Sequence, residues 1–153
     1  MAIKQLSAFV ENKPGRLLGM VRHIADAGIN MRAMSIADNK DFGILRAIVS
    51  DVEGARRVLS EEALVSVTEV IAAGMSDRAG ALYDILKVLA DAWINIEYMY
   101  AFTASEDMGA YVVMRVNDND LAERVLHESG IATLREEDIE RDRKSTRLNS
   151  SHL

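Results

Sequence analysis

Ala25-Asp26-Ala27-Gly28-Ile29-Asn30 returns 65 residues later as Ala90-Asp91-Ala92-Trp93-Ile94-Asn95. The same offset carries Gly15 onto Gly80, Leu17 onto Leu82 and Met34 onto Met99. Over residues 15–34 it gives 8 identities in 20 pairs, where ordinary composition would give roughly one or two. A hairpin two residues longer in the second copy moves the offset to 67. Asp51, Ala55, Arg57, Val58, Leu59 and Glu61 then meet Asp118, Ala122, Arg124, Val125, Leu126 and Glu128. The chain is two copies of one unit, and such self-similarity is the first thing to settle about a fold.

Each copy has one plan. Residues 2–10 predict a strand, and Asn12-Lys13-Pro14-Gly15 a loop. Leu17, Leu18, Val21, Ile24 and Ala25 fall at helical spacing, with Gly28 suited to a left-handed stop. Residues 29–37 and 42–49 predict a hairpin turning at Asp38-Asn39-Lys40-Asp41. Asp51 can cap a second helix, and residues 64–68 predict a fourth strand. The order βαββαβ is the ferredoxin-like split motif, an α+β class with helices on one face of antiparallel sheets. The second copy places its helices over residues 80–92 and 118–129. The expected division is a first unit over 1–69, a second over 70–140 and a tail over 141–153. No Gly/Ser/Pro linker separates the units, and each alone would be marginal in size.

The tail, Asp142-Arg143-Lys144-Ser145-Thr146-Arg147-Leu148-Asn149-Ser150-Ser151-His152, has no apolar period and no counterpart in the repeat. It resembles the conceptual translation of a common sequencing adapter. It is expected to be disordered and artefactual, and is set aside.

The 153 residues are 49% apolar and 27% charged, with a formal charge of −6. An acidic chain is ill suited to phosphate backbones, so no nucleic-acid partner is expected. The absence of cysteine excludes disulfides, thiolate metal sites and cysteine nucleophiles. No apolar run nears the roughly 20 residues that span a bilayer, and Met1-Ala2-Ile3-Lys4-Gln5-Leu6 lacks a signal-peptide plan. A cytoplasmic protein without membrane partners is the expectation. His23 and His127 have no partner at metal-ligand spacing, and no metal site, cofactor or catalytic residue is expected.

The residues with functional content are the first loop of each copy and the start of its second strand. In the first copy these are Asn12, Pro14, Gly15, Arg16, Leu17 and Asn30. In the second they are Asp77, Ala79, Gly80, Ala81, Leu82 and Asn95. A Gly-bearing strand–helix junction leaves backbone N–H groups at a helix N-terminus, which favour a carboxylate. Asparagine amides offer oxygens to an ammonium and N–H groups to a carboxylate. Leu17, Met31 and Met34 are candidates to receive a side chain. The plainer alternative is that Asn12 or Asp77 merely caps its helix and the glycine merely turns the chain. Tyr98, Tyr100 and Phe102 alternate with Ile94 and Ile96, which predicts one packed face.

The loop Asn12-Lys13-Pro14-Gly15-Arg16-Leu17 and the run Ala25–Asn30, repeated as Asp77–Leu82 and Ala90–Asn95, resemble the ACT domain over residues 2–136. The resemblance implies a non-catalytic regulatory module that binds a free amino acid at the interface between ACT units. It implies an enzyme of amino-acid metabolism regulated in trans, as by the regulatory subunit of acetolactate synthase, while the sheet edges and faces that tandem units expose predict a homodimer. It assigns the ligand contacts to the twelve loop and strand residues named above. The second copy departs from the pattern with Ala79 for proline, Trp93 for glycine and Asp77 for asparagine. A left-handed Trp93 is strained by roughly 1 kcal/mol. Alternatives are an assembly module with a vestigial pocket and, remotely, an acylphosphatase-like enzyme using Arg78 and Asn95.

Overall fold

A computed structural model of the chain describes residues 2–38, 41–103 and 109–139. The centre of the first hairpin turn and the adapter-like tail lie outside the described residues. The elements run β1 (Ile3–Glu11), α1 (Arg16–Asp26), β2 (Met31–Asp38), β3 (Phe42–Val49), α2 (Val52–Leu59), β4 (Val65–Met75), α3 (Ala81–Asp91), β5 (Ile96–Thr103), β6 (Ala110–Val116) and α4 (Asn119–Glu128). Contacts divide the chain into two compact units, one built on Lys4–Thr68 and the other on Glu69–Asp138. β4 is continuous through that division.

In the first unit β3 lies between β1 and β2, antiparallel to both. Period two puts Leu6, Ala8 and Val10 on one face of β1, opposite Ala47, Leu45 and Gly43 of β3. Met20 and Ile24, one turn apart on α1, and Ala55 and Leu59 on α2 close over that face to form one core. The chain returns to β1 where the Phe9 N–H donates to the Leu64 carbonyl at 3.0 Å.

The second unit repeats this with different side chains. β6 lies between β4 and β5, antiparallel to both. Ile71, Ala73, Val112, Met114 and Val116 meet Ile85 and Leu89 of α3 and Ala122 and Leu126 of α4. Its last strand is reduced to a bridge between Ala73 and Thr133, held by Gly74 N–H to Ala132 O and Leu134 N–H to Ala72 O.

The helix starts follow two designs. Asp51 and Asp118 accept from the N–H groups of Gly54 and Leu121, each at 3.0 Å. These are side-chain caps of the kind worth about 1 kcal/mol. α1 and α3 instead start from left-handed Gly15 and Gly80, at φ 84° and 88°, without a side-chain cap.

One expectation is overturned. A register shift between Ile96 and Tyr98 breaks the strand's alternation. Ile94 and Ile96 pack in the helix-side core, while Tyr98, Tyr100 and Phe102 pair with Arg115, Val113 and Tyr111 on the opposite face. An extra residue in a strand inverts every later side chain. β2 carries the equivalent shift between Met31 and Ala33.

Trp93 follows α3 at φ 59°, the left-handed conformation that Gly28 adopts after α1 at φ 73°. Both residues close the helix with the same bonds. Gly28 N–H reaches Ala25 O and Ile29 N–H reaches Ile24 O. Trp93 N–H reaches Ala90 O and Ile94 N–H reaches Leu89 O. The indole is 92% exposed, so contacts within the described chain do not offset its strain.

Candidate functional site

The two loops share one backbone. Lys13 N–H donates to Glu11 O at 2.8 Å and Arg16 N–H to Lys13 O at 3.2 Å. The equivalent Arg78 N–H to Ser76 O and Ala81 N–H to Arg78 O bonds are 2.9 and 3.3 Å. Ala79 thus keeps the conformation that Pro14 presets. The first intrahelical bonds run from Gly19 N–H to Gly15 O and from Asp84 N–H to Gly80 O, each 3.0 Å. The N–H groups between them, on Leu17 and Leu18 and on Leu82 and Tyr83, have no acceptor among the described residues. They are the orphan donors that any helix start leaves. Asn12 and Asp77 are exposed and cap neither helix.

Each loop borders a groove. The first holds about 320 Å³ and is lined by Val10, Glu11, Asn12, Lys13, Leu17, Ile36 and Gly43. The second is open and holds about 1220 Å³; Met75, Ser76, Asp77, Arg78 and Ala110 line its end. Those five residues occupy the repeat positions of Val10, Glu11, Asn12, Lys13 and Gly43. The second groove continues along α3, past Asp84, Lys87, Val88 and Asp91, to Ser129–Ala132. There the hydrogen bond and charge of Asp91, against a smaller effect of burial, hold the Lys87 ammonium above its ordinary pKa. Desolvation, then the charge of Asp138, raises that of the Tyr111 phenol.

The proposed contacts do not all converge within a unit. Pro14, Gly15, Arg16, Ala79 and Gly80 build the exposed loops, Ala81 is buried at the start of α3, and Leu17 and Leu82 are half-buried. Asn30 lies at the other end of α1 from Asn12. Eleven helical residues separate those ends by roughly 16 Å. Asn30 is tied there through its backbone, its N–H donating to Ser50 Oγ at 2.9 Å. Asn95 is tied likewise, donating to Asn117 Oδ1 at 2.9 Å. The side-chain amides of Asn12, Asn30 and Asn95 make no hydrogen bond among the described residues.

Ile36 and Gly43 of the first groove, which the hairpin brings opposite the loop, carry no signal in the residue pattern. Of the apolar candidates, Leu17 lines that groove, Met31 packs on the core and Met34 is exposed. His23 faces Glu62 at 3.0 Å and His127 faces Thr133 Oγ1 at 2.8 Å. Among the described residues no cluster of His, Asp or Glu has metal-binding geometry, and no helix is long and apolar enough to cross a membrane.

A duplicated α+β unit, with a glycine-led loop over a groove in each copy, defines a tandem ferredoxin-like protein. The family model of the ACT domain pair matches residues 1–142, and the chain belongs to that family of regulatory modules. Among solved structures it is similar to protein BT0572 from Bacteroides thetaiotaomicron. That likeness has 39% identity, covers 92% of this chain and 96% of the other, and has a TM-score of 0.84. The ligand-free regulatory subunit of aspartate kinase from Thermus thermophilus shares the fold. There the identity is 16%, the coverage 82% and 91%, and the TM-score 0.57. The aspartokinase alpha and beta subunits are alike in fold at 22% identity, 82% and 90% coverage and a TM-score of 0.57. A comparison with curated proteins finds no match.

Proposed function

We propose that the protein is a non-catalytic sensor that binds a free amino acid at the loop groove and signals to an enzyme of amino-acid metabolism in trans. The observation that carries this is the first groove. The loop residues Asn12, Lys13 and Leu17 line it together with apolar Val10 and Ile36. It begins beside the orphan N–H groups of Leu17 and Leu18. A ligand carboxylate takes the helix N-terminus, the Asn12 amide oxygen accepts from the ammonium, and the apolar wall takes the side chain. Asn30 is too far from Asn12 to join in the same unit, so its amide serves a ligand held between ACT units of two chains. This makes the functional form a homodimer. Ligand acts on the partner enzyme because its affinity differs between two arrangements of those units. No cofactor enters this scheme.

The test is thermal denaturation of the full chain with each of the twenty amino acids. One of them, at 100 times its dissociation constant, stabilises by about 2.7 kcal/mol. Asn12→Ala removes that shift and leaves the ligand-free melting temperature nearly unchanged. A protein that none of the twenty stabilises is not an amino-acid sensor. A sedimentation mass of one chain in the presence of ligand overturns the dimeric site.

A further inference from the structure

We infer that the two loops do not take the same ligand. In the second unit Asp84 engages the arginine of the loop and sets its negative charge at the helix start, so each chain accepts one carboxylate ligand, at the first loop. This rests on the sensor reading above and says which of its two candidate sites works.

The two loops share their backbone hydrogen bonds, so what distinguishes them is their side chains. Around the first loop, Glu11 faces two cations, Lys13 at 3.3 Å and Arg16 at 4.0 Å, and Asp41 joins the loop where its carbonyl accepts from the Asn12 N–H at 3.2 Å. The first turn of α1 contains no acidic residue. Gly19 stands there, with nothing within 4 Å of where a side chain would begin. Glu11 and Asp41 balance Lys13 and Arg16 around this loop, and no acidic side chain stands in the first turn of the helix.

The repeat position of Gly19 in the second unit is Asp84, in the first turn of α3. Its carboxylate holds the Arg78 guanidinium at 2.5 Å. A second guanidinium nitrogen donates to Ala79 O at 3.4 Å and lies 3.7 Å from the Cβ position of Gly80. Arg78 is therefore drawn across the helix start by an internal carboxylate. Asp77 adds another negative charge where the first loop has Asn12, and Ala81 removes the cation supplied by Arg16. Further along the groove, Asp91 occupies Lys87 at 2.9 Å. Both cations of the second groove are thus engaged by the chain's own carboxylates.

The Arg78–Asp84 pair is about half exposed and adds little to stability. Its effect lies in sign. An incoming carboxylate must sit beside both Asp84 and Asp77. Two negative charges added at a helix start weaken anion binding there by about ten-fold.

The test is an amide-shift titration by NMR of the whole chain with each of the twenty amino acids and, separately, with acetate. In the wild type, Leu17 and Leu18 respond first, and Leu82 and Tyr83 require about ten-fold more ligand. Asp77→Asn/Asp84→Gly, which copies the first loop, brings Leu82 and Tyr83 into the range of Leu17 and Leu18. Asp77→Asn/Asp84→Asn does the same while keeping a better helix former at position 84. Equal titration of both loops in the wild type overturns the inference and leaves the sensor reading intact. So does a second loop that stays inert in both variants while their helix content is native. Silence of Leu17 and Leu18 towards every amino acid fails the sensor reading. The acetate arm, compared at Leu82 and Tyr83 between wild type and variants, then still decides whether Asp84 blocks its own loop.

Discussion

Asn30 and Ser50 hold each other twice: the Asn30 N–H donates to Ser50 Oγ, and the Ser50 N–H donates to Asn30 O, both at 2.9 Å. The clasp joins the start of β2 to the end of β3 and uses none of the asparagine's side chain. Ser50→Ala leaves the Asn30 N–H without its acceptor and should cost about 1 kcal/mol. Asn30→Ala should change stability by less than about 0.5 kcal/mol. Urea denaturation of both variants checks this. A large loss in Asn30→Ala would make its amide structural and remove it from the ligand contacts.

Trp93→Gly should stabilise the protein by about 1 kcal/mol, because it relieves a left-handed bulky residue. The change discards no packing among the described residues, since the side chain is 92% exposed. A raised melting temperature is the expected result. A lowered one would mean that the indole is covered in the protein in solution.

Asp51→Ala and Asp118→Ala should each lower stability by about 1 kcal/mol. Each removes a 3.0 Å cap from an equivalent helix. Chemical denaturation of the two single variants should give similar losses, as equivalent positions of a repeat require.

Tyr111 stacks on Phe102 with ring centroids 5.8 Å apart. Its phenol pKa is raised, first by desolvation and then by the charge of Asp138. A group whose folded pKa lies above its unfolded value contributes stability that is complete below the unfolded pKa. That contribution is lost as pH rises through the folded value. The protein should therefore lose stability above about pH 10, and Tyr111→Phe should flatten that alkaline loss while preserving stability at neutral pH. Denaturation midpoints of both proteins across that range are the measurement.

Much of the fold can be read from residue patterns. The β3 span 42–49 follows from its apolar run, and α1 from the spacing of Leu17, Leu18, Val21 and Ile24. Gly15 and Gly80 mark the loops because only a residue without a side chain turns there at no cost. Three features were hidden. The shift at Ile96–Tyr98 divides what simple alternation reads as one packed face, since counting by twos assumes an unbroken strand. The fourth strand of the second unit shrinks to one bridge, because pairing depends on where the chain turns after Leu134. The Arg78–Asp84 pair joins residues six apart across a loop and a helix start, a separation without a pattern of its own. For the site, Asn12 and Leu17 at the first groove were legible. The distance from Asn12 to Asn30 follows from helix length once α1 is known to span eleven residues.

The exposed indole has an optical consequence. Trp93 is the only tryptophan in the chain, and water surrounds it in the folded state as it does in the unfolded chain. Its emission should barely change as the protein denatures, so intrinsic fluorescence will underreport unfolding. For the same reason a blue shift in the native protein has a simple meaning. Something has come to rest against the end of α3, and the chain carries its own dye for detecting it.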